Sequence, residues 1–238
     1  MQEIVPQTVG EIVRRGANDA WNLGVTDPQI AQFEQYAALI VEWNETRMNL
    51  TRLTSPRDLA VKHFLDSLAL LTRISLPLNA RLLDVGTGAG LPGLALKIVR
   101  PDLRVTLMDS TAKKLTFCRA AADALGVVEV EIVHGRAEEA AGMPTLAGQF
   151  DFVVARAVAP LERLLPWLAP FACPGGQVIA LKGTGAEEEM LAARPIARRF
   201  GLTFAPLLEI SLPEAEEPIL RRIVAAKKSF TSRSDALR

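Results

Sequence analysis

Residues 82 to 93 read LLDVGTGAGLPG, an apolar run, one acid and four glycines in twelve positions. Gly86, Gly88 and Gly90 form a G-x-G-x-G run, and Gly88, Gly90 and Gly93 also satisfy the G-x-G-x-x-G dinucleotide pattern. The bare pattern does not choose between them, and glycines here also serve a tight turn and close helix packing. A glycine-rich turn after a strand usually cradles a phosphate. Asp84, two residues before the first glycine, opposes that ligand because like charges repel, whereas its carboxylate suits an ammonium or a sulfonium.

S-adenosylmethionine carries both cations. Its ribose hydroxyls call for a second acid, and Asp109 closes the apolar run RVTLMD nineteen residues after Gly90. Further on, the segment GRAEE offers Ala137 and Glu138 to flank an adenine, although acids there equally suit the start of a helix. Arg156 ends the apolar FDFVVAR, where a cofactor carboxylate or a phosphate would lie, and Lys182 ends VIALK in the same way. His63 and Asp66 stand three apart on an expected helix, close enough to share one face over the cleft. As a carboxylate, Asp66 would steady positive charge developing on a substrate.

These residues need a scaffold. From residue 81 onward, short β-rich runs (RLLDVG, RVTLMDS, EVEIVHG, FDFVVAR, GQVIALKG, LLEISL, ILRRIVAAKK) are separated by helical stretches near 91–99, 112–125, 160–169 and 185–200. The alternation predicts an α/β fold with a doubly wound, Rossmann-like parallel sheet and helices on both faces. The last two runs have only PEAEEP between them and should pair antiparallel. Ahead of this, residues 28–47 carry apolar positions at three- and four-residue steps, and Thr54-Ser55-Pro56 starts a second amphipathic helix ending near Arg73. The expected division is an N-terminal helical region (1–78), a cofactor-binding domain (79–230) and a basic tail (231–238).

Composition limits the rest. Lys+Arg and Asp+Glu are both 27 in 238 residues, which argues against coating nucleic acid by bulk charge but leaves room for a basic patch. No run approaches the roughly 20 apolar residues of a membrane helix, and the first ten residues lack the features of a signal peptide. A cytoplasmic protein is expected. Cys118 and Cys173 stand alone, so neither a disulfide framework nor a metal site is expected. Doublets such as Arg221-Arg222 read as solvated surface.

The motifs NLT (Asn49 to Thr51), HFLDS (His63 to Ser67), LLDVGTGAGLPG, LMDSTAKKLTF, ARAVAP and ALKG follow one another in the order seen in the RsmG (GidB) family of bacterial 16S rRNA guanine-N7 methyltransferases, which the chain resembles from about Asn49 to Lys227. The resemblance implies a class I methyltransferase fold and methyl transfer from S-adenosylmethionine to a guanine N7 in the 530 loop of 16S rRNA. It implies cofactor contacts at Gly86, Leu91, Asp109, Ser110, Thr111, Ala137, Glu138 and Arg156, with Asp84 and Gly88 also at the site. No general base is expected, because guanine N7 already bears an in-plane lone pair; Asp66 and Arg156 would act by positioning and electrostatics. His63, Lys113, Lys114, Arg119 and Lys182, with Arg156, would hold the RNA. The expected partner is 16S rRNA within a small subunit or an assembly intermediate, and the expected enzyme is a monomer. The alternatives are an NAD-dependent oxidoreductase, which Asp84 disfavours, and a non-catalytic RNA-binding or ribosome-assembly protein.

Overall fold

The computed structural model describes residues 7–156 and 158–230. Its strands are β1 Arg81–Val85, β2 Arg104–Asp109, β3 Val130–His134, β4 Phe150–Arg156, β5 Ala172–Lys182, β6 Leu202–Phe204, β7 Leu208–Leu212 and β8 Ile219–Lys228. They form one sheet in the order β3-β2-β1-β4-β5-β8-β6, with β7 also paired to β8. Strands β1 to β5 run parallel, and β8 is antiparallel to β5, β6 and β7. The expected pairing of LLEISL with ILRRIVAAKK is present. The three-residue β6 was not anticipated, since so short a run carries no periodicity to detect.

The chain winds outward from β1 through β2 to β3, then returns to lay β4 on the other side of β1. The sheet thus reverses direction between β1 and β4, where Leu83 faces Val153 and Asp84 faces Val154. Loops leaving the carboxyl ends of these strands diverge to opposite faces and open a crevice there. A cleft bordered by Gly86 and Arg156 lies at this point.

Both faces of the sheet are covered. One apolar cluster joins Leu82 and Leu107 to Leu94 and Phe117, and to Ile12, Phe33, Tyr36 and Phe64 from the N-terminal helices. The other joins Leu83, Val85 and Val153 to Leu161, Leu164 and Ala193. The N-terminal helices therefore help cover one face of the sheet. They comprise residues 9–20, Asp27–Thr46 and 56–72, the second capped by Thr26 with Gln29 in a reciprocal box. The third is irregular: after Ser55 caps its first turn, it widens to π geometry over Leu59–Leu65 and tightens to 3-10 geometry over Ala69–Thr72. Among the described residues, no helix is long and apolar enough to cross a membrane. The expected basic tail lies outside the described residues.

Candidate active site

The loop after β1 turns on glycines because its backbone requires them. Gly86, Gly88 and Gly90 have φ of +73, +59 and +81, the left-handed region that side chains strain to occupy. The N–H groups of Gly86 and Thr87 donate to the Met108 carbonyl at 2.8 and 3.0 Å, fastening the loop to β2. At Gly90 a Cβ would lie 2.6 Å from both the Tyr36 hydroxyl and Leu94 Cδ1. That hydroxyl donates to the Ala89 carbonyl, so helix Asp27–Thr46 holds the loop from behind.

Asp84 does not meet a ligand in the way its sequence position suggests. Its side chain is fully buried behind the loop; Oδ2 accepts from the Thr87 hydroxyl at 2.7 Å and the Gly93 N–H at 2.8 Å. Oδ1 has no hydrogen-bond partner among the described residues. Burial lifts its pKa to about 6, against the opposing pull of those two donors. The expectation of a carboxylate facing a cationic donor is corrected here: Asp84 lies on the same face of β1 as Leu82, toward the core, and ties the two ends of the glycine loop together.

Asp109 occupies the expected place at the tip of β2. Its Oδ2 accepts from the Gly88 N–H at 3.0 Å and its Oδ1 from the Thr111 N–H at 2.8 Å. A carboxylate oxygen accepts two bonds, so each keeps capacity for a ligand hydroxyl. With Gly86, Ser110, Ala137 and Glu138, Asp109 lines a cavity of about 230 Å³ that Val158 and Trp167 also border. Thr111 is exposed and contributes its backbone to Asp109 without lining this cavity.

Gly86 also borders a second, larger cleft of about 560 Å³, together with Thr51, His63, Asp66, Leu91, Arg156 and Arg221. Asp66 is 2% exposed and both its oxygens are taken: Oδ2 by Arg156 Nη1 at 3.1 Å, Oδ1 by Arg221 Nε. Arg156 Nη1 also donates to the carbonyls of Lys62 and His63, at 3.0 and 3.4 Å. The trio carries one negative and two positive charges. Asp66 therefore does not offer a free carboxylate to a developing cation; it anchors two guanidiniums whose net charge is positive.

His63 lines the same cleft without pairing to Asp66. Its Nε2 lies 2.9 Å from Thr51 Oγ1 and its Nδ1 3.2 Å from the Lys62 carbonyl. Burial, then the charge of Arg156, lowers its pKa to about 4, so at neutral pH it brings no positive charge to a phosphate. Lys182 is corrected too, since its ammonium, 11% exposed, is held by the Ala159 carbonyl and Glu189, each at 2.7 Å. Lys113, Lys114 and Arg119 lie on helix Ala112–Ala124, away from the cavity walls. The first two stand in its opening turn beside the carboxyl end of β2, and Arg119 is more than a turn further on.

Three contributors escaped the sequence. Arg221 was hidden in a doublet read as solvated, although only Arg222 makes a surface pair, with Glu209 at 2.7 Å. Thr51 and Tyr36 sit in segments remote from the glycine loop, and only tertiary packing brings them to it. For Arg221 a signal existed: it lies two residues before Ile223, on the same side of a strand whose apolar stretch from Ile223 to Ala226 is buried.

Comparison with known proteins gives the family. The model of the family GidB, rRNA small subunit methyltransferase G, matches residues 29–199. Proteins called ribosomal RNA small subunit methyltransferase G are 39% identical in Thermoanaerobacter sp. (92% of this chain, 89% of that protein) and 41% identical in Pelotomaculum thermopropionicum (86% and 85%). Among solved structures, a SAM-dependent methyltransferase of Aquifex aeolicus aligns with TM-score 0.52 at 20% identity, covering 75% of this chain and 96% of its own. The cyclase SpnF aligns with TM-score 0.54 at 16% identity, covering 69% and 80%, so the fold alone does not dictate the chemistry. Identity over nearly the whole length does what the fold cannot: the chain belongs to the rRNA small subunit methyltransferase G family.

Proposed function

We propose that this chain transfers the methyl group of S-adenosylmethionine to N7 of a guanine in the 530 loop of 16S rRNA. It would work as a cytoplasmic monomer on the small subunit or an assembly intermediate. The observation that carries the reading is the adjacency of two unlike cavities at Gly86, one bordered by Asp109 and one by the Asp66, Arg156 and Arg221 trio.

The residues present fit the cofactor. Asp109 keeps acceptor capacity for ribose hydroxyls, Ala137 and Glu138 border the space for an adenine, and the glycines leave the loop backbone bare on the side of the methionine tail. Gly88 and Leu91 wall the cleft into which that tail would extend, and Arg156 stands ready for its carboxylate. When bound, the cofactor supplies a methyl carbon activated by sulfonium. Ser110 adds its backbone and hydroxyl beside Asp109, while Asp84 fixes the loop and has no direct contact.

The chain's own task is then placement rather than proton removal. Guanine N7 attacks through a lone pair it already has, so catalysis rests on holding it in line with the methyl carbon. His63 suits that economy: neutral and hydrogen-bonded to Thr51, it supports the cleft wall instead of acting as a base. The positive trio favours an RNA phosphate at the cleft. Lys113 and Lys114 extend that attraction along the carboxyl edge of the sheet.

Tritiated S-adenosylmethionine tests the reading. Incubated with this protein and small subunits from a strain lacking the modification, it should deliver label to 16S rRNA. Binding of subunits without any transfer would instead mark a non-catalytic assembly protein.

A further inference from the structure

The larger cleft has a wall that the cofactor reading does not use. It is built by Leu50, Thr51 and Leu53 from the segment between the second and third helices, and by Ile219 and Arg221 from the start of β8. The segment is pinned. Asn44, at the end of helix Asp27–Thr46, accepts through Oδ1 from the N–H groups of Leu50 and Thr51 at 2.6 and 3.2 Å, and donates from Nδ2 to the Thr51 carbonyl at 2.7 Å. Thr51 Oγ1 accepts from the Leu53 N–H at 3.1 Å and meets His63 Nε2 at 2.9 Å. Together these bonds hold Leu50 and Leu53, half-buried, on the cavity wall in a fixed pose.

The wall's chemistry is apolar with cationic flanks. Leu50, Leu53 and Ile219 supply aliphatic surface, and among the described residues the cleft has no Phe, Tyr or Trp in its lining. Arg221 is 21% exposed; Asp66 takes its Nε, and among the described residues the guanidinium has no second partner. Its remaining N–H donors are free for an anion, and a guanidinium takes phosphate oxygens through paired donors. Arg52, exposed at the tip of the pinned segment, has no ion-pair partner among the described residues either. At about 560 Å³ the cleft falls within the range of about 300–1,000 Å³ that holds a small organic ligand, more than a methionine tail alone requires.

We infer that this wall is the seat of the target nucleotide, whose flipped-out purine packs on Leu50, Leu53 and Ile219 while its phosphate is held by Arg221. A purine reached in line by a methyl donor must leave its stack, and aliphatic side chains can replace the lost stacking by dispersion and burial. The inference rests on the proposed activity and names its substrate subsite. Asp66 is a positioning residue here, since it orients Arg221 and Arg156 without needing to touch RNA.

The test uses the full chain carrying Leu50→Ala with Leu53→Ala, and separately Arg221→Gln. Small-subunit KM and kcat are measured at saturating S-adenosylmethionine, the salt dependence of subunit binding is recorded, and S-adenosylhomocysteine affinity is read by calorimetry. The leucine pair should lower kcat/KM for subunits by about tenfold. Arg221→Gln should reduce the slope of log affinity against log salt by about one. S-adenosylhomocysteine affinity should stay within about twofold of wild type in both. A parallel loss of S-adenosylhomocysteine affinity, or unchanged subunit kinetics and salt slope beside an active wild type, overturns the seat. A wild type that itself transfers no methyl group overturns the proposed activity instead.

Discussion

Asp84 is a carboxylate removed from water with one of its oxygens lacking a hydrogen bond. Its pKa of about 6 against an ordinary 3.8 means that the folded protein binds this proton more tightly than the unfolded chain. Its contribution to stability is then greatest below about pH 4 and is lost as pH rises through 6, a change of about 3 kcal/mol. His63 works in the opposite sense: with its pKa lowered from 6.5 to about 4, it favours the fold above 6.5 and withdraws that support as pH falls toward 4. In the wild type the two slopes offset one another. Asp84→Asn should remove one, so that stability by urea unfolding climbs from pH 4 to 6.5 more steeply than in the wild type; parallel curves would show that Asp84 is already ionised in the fold. The sequence disclosed the glycines and both acids but not where Asp84 points. Both faces of β1 are buried, so the alternation that reveals orientation in a half-exposed strand is silent there.

The helices set the site at the next scale up. Tyr36 belongs to an apolar face that periodicity makes evident, yet its functional contact is polar, with Ala89 of the glycine loop. Tyr36→Phe keeps the ring packed on Phe64 and leaves the Ala89 carbonyl buried without its donor, a loss of about 1–3 kcal/mol. We expect cofactor affinity measured by calorimetry to fall several-fold while kcat at saturating cofactor holds; an unaltered affinity would mean that the loop stands without its back support. In the third helix the expected neighbours reach the cleft by an irregular route. Regular geometry would stack His63 on Asp66, but the wide turns of Leu59–Leu65 give each its own partner: Thr51 for the histidine, two arginines for the acid. Both still reach one cleft, as a shared helix face implies. A π segment has no distinct hydrophobic signature, so nothing in the residues announced it.

Across the whole molecule, a formal charge of zero conceals an uneven distribution. Cations gather at the carboxyl edge of the sheet, but they do different jobs. Lys182 is bound into the structure by Ala159 and Glu189, whereas Lys113 is exposed on its helix. Lys113→Glu should lower the salt dependence of subunit binding, each lost phosphate contact reducing the slope by about one. Lys182→Glu should instead lower the unfolding midpoint, by setting two carboxylates against each other, with the salt slope unchanged. Equal effects on salt slope would return Lys182 to the RNA surface. The alternation of strands and helices made the parallel sheet and its crevice legible. What it could not supply was the place of β8, which besides its expected partner β7 lies antiparallel beside β5 and carries Arg221 to the crevice from the far end of the chain.

The most direct measurement is the position of the methyl group itself. N7-methylguanine is reduced by borohydride, which loosens its bond to the ribose, and aniline then cuts the strand where the base is lost, so small subunits treated with this protein and S-adenosylmethionine can be read for scission along 16S rRNA. One new cut at a guanine of the 530 loop, absent when the cofactor is withheld, is the predicted result. Methylation at another base, or transferred label that leaves every guanine resistant to cleavage, would contradict it.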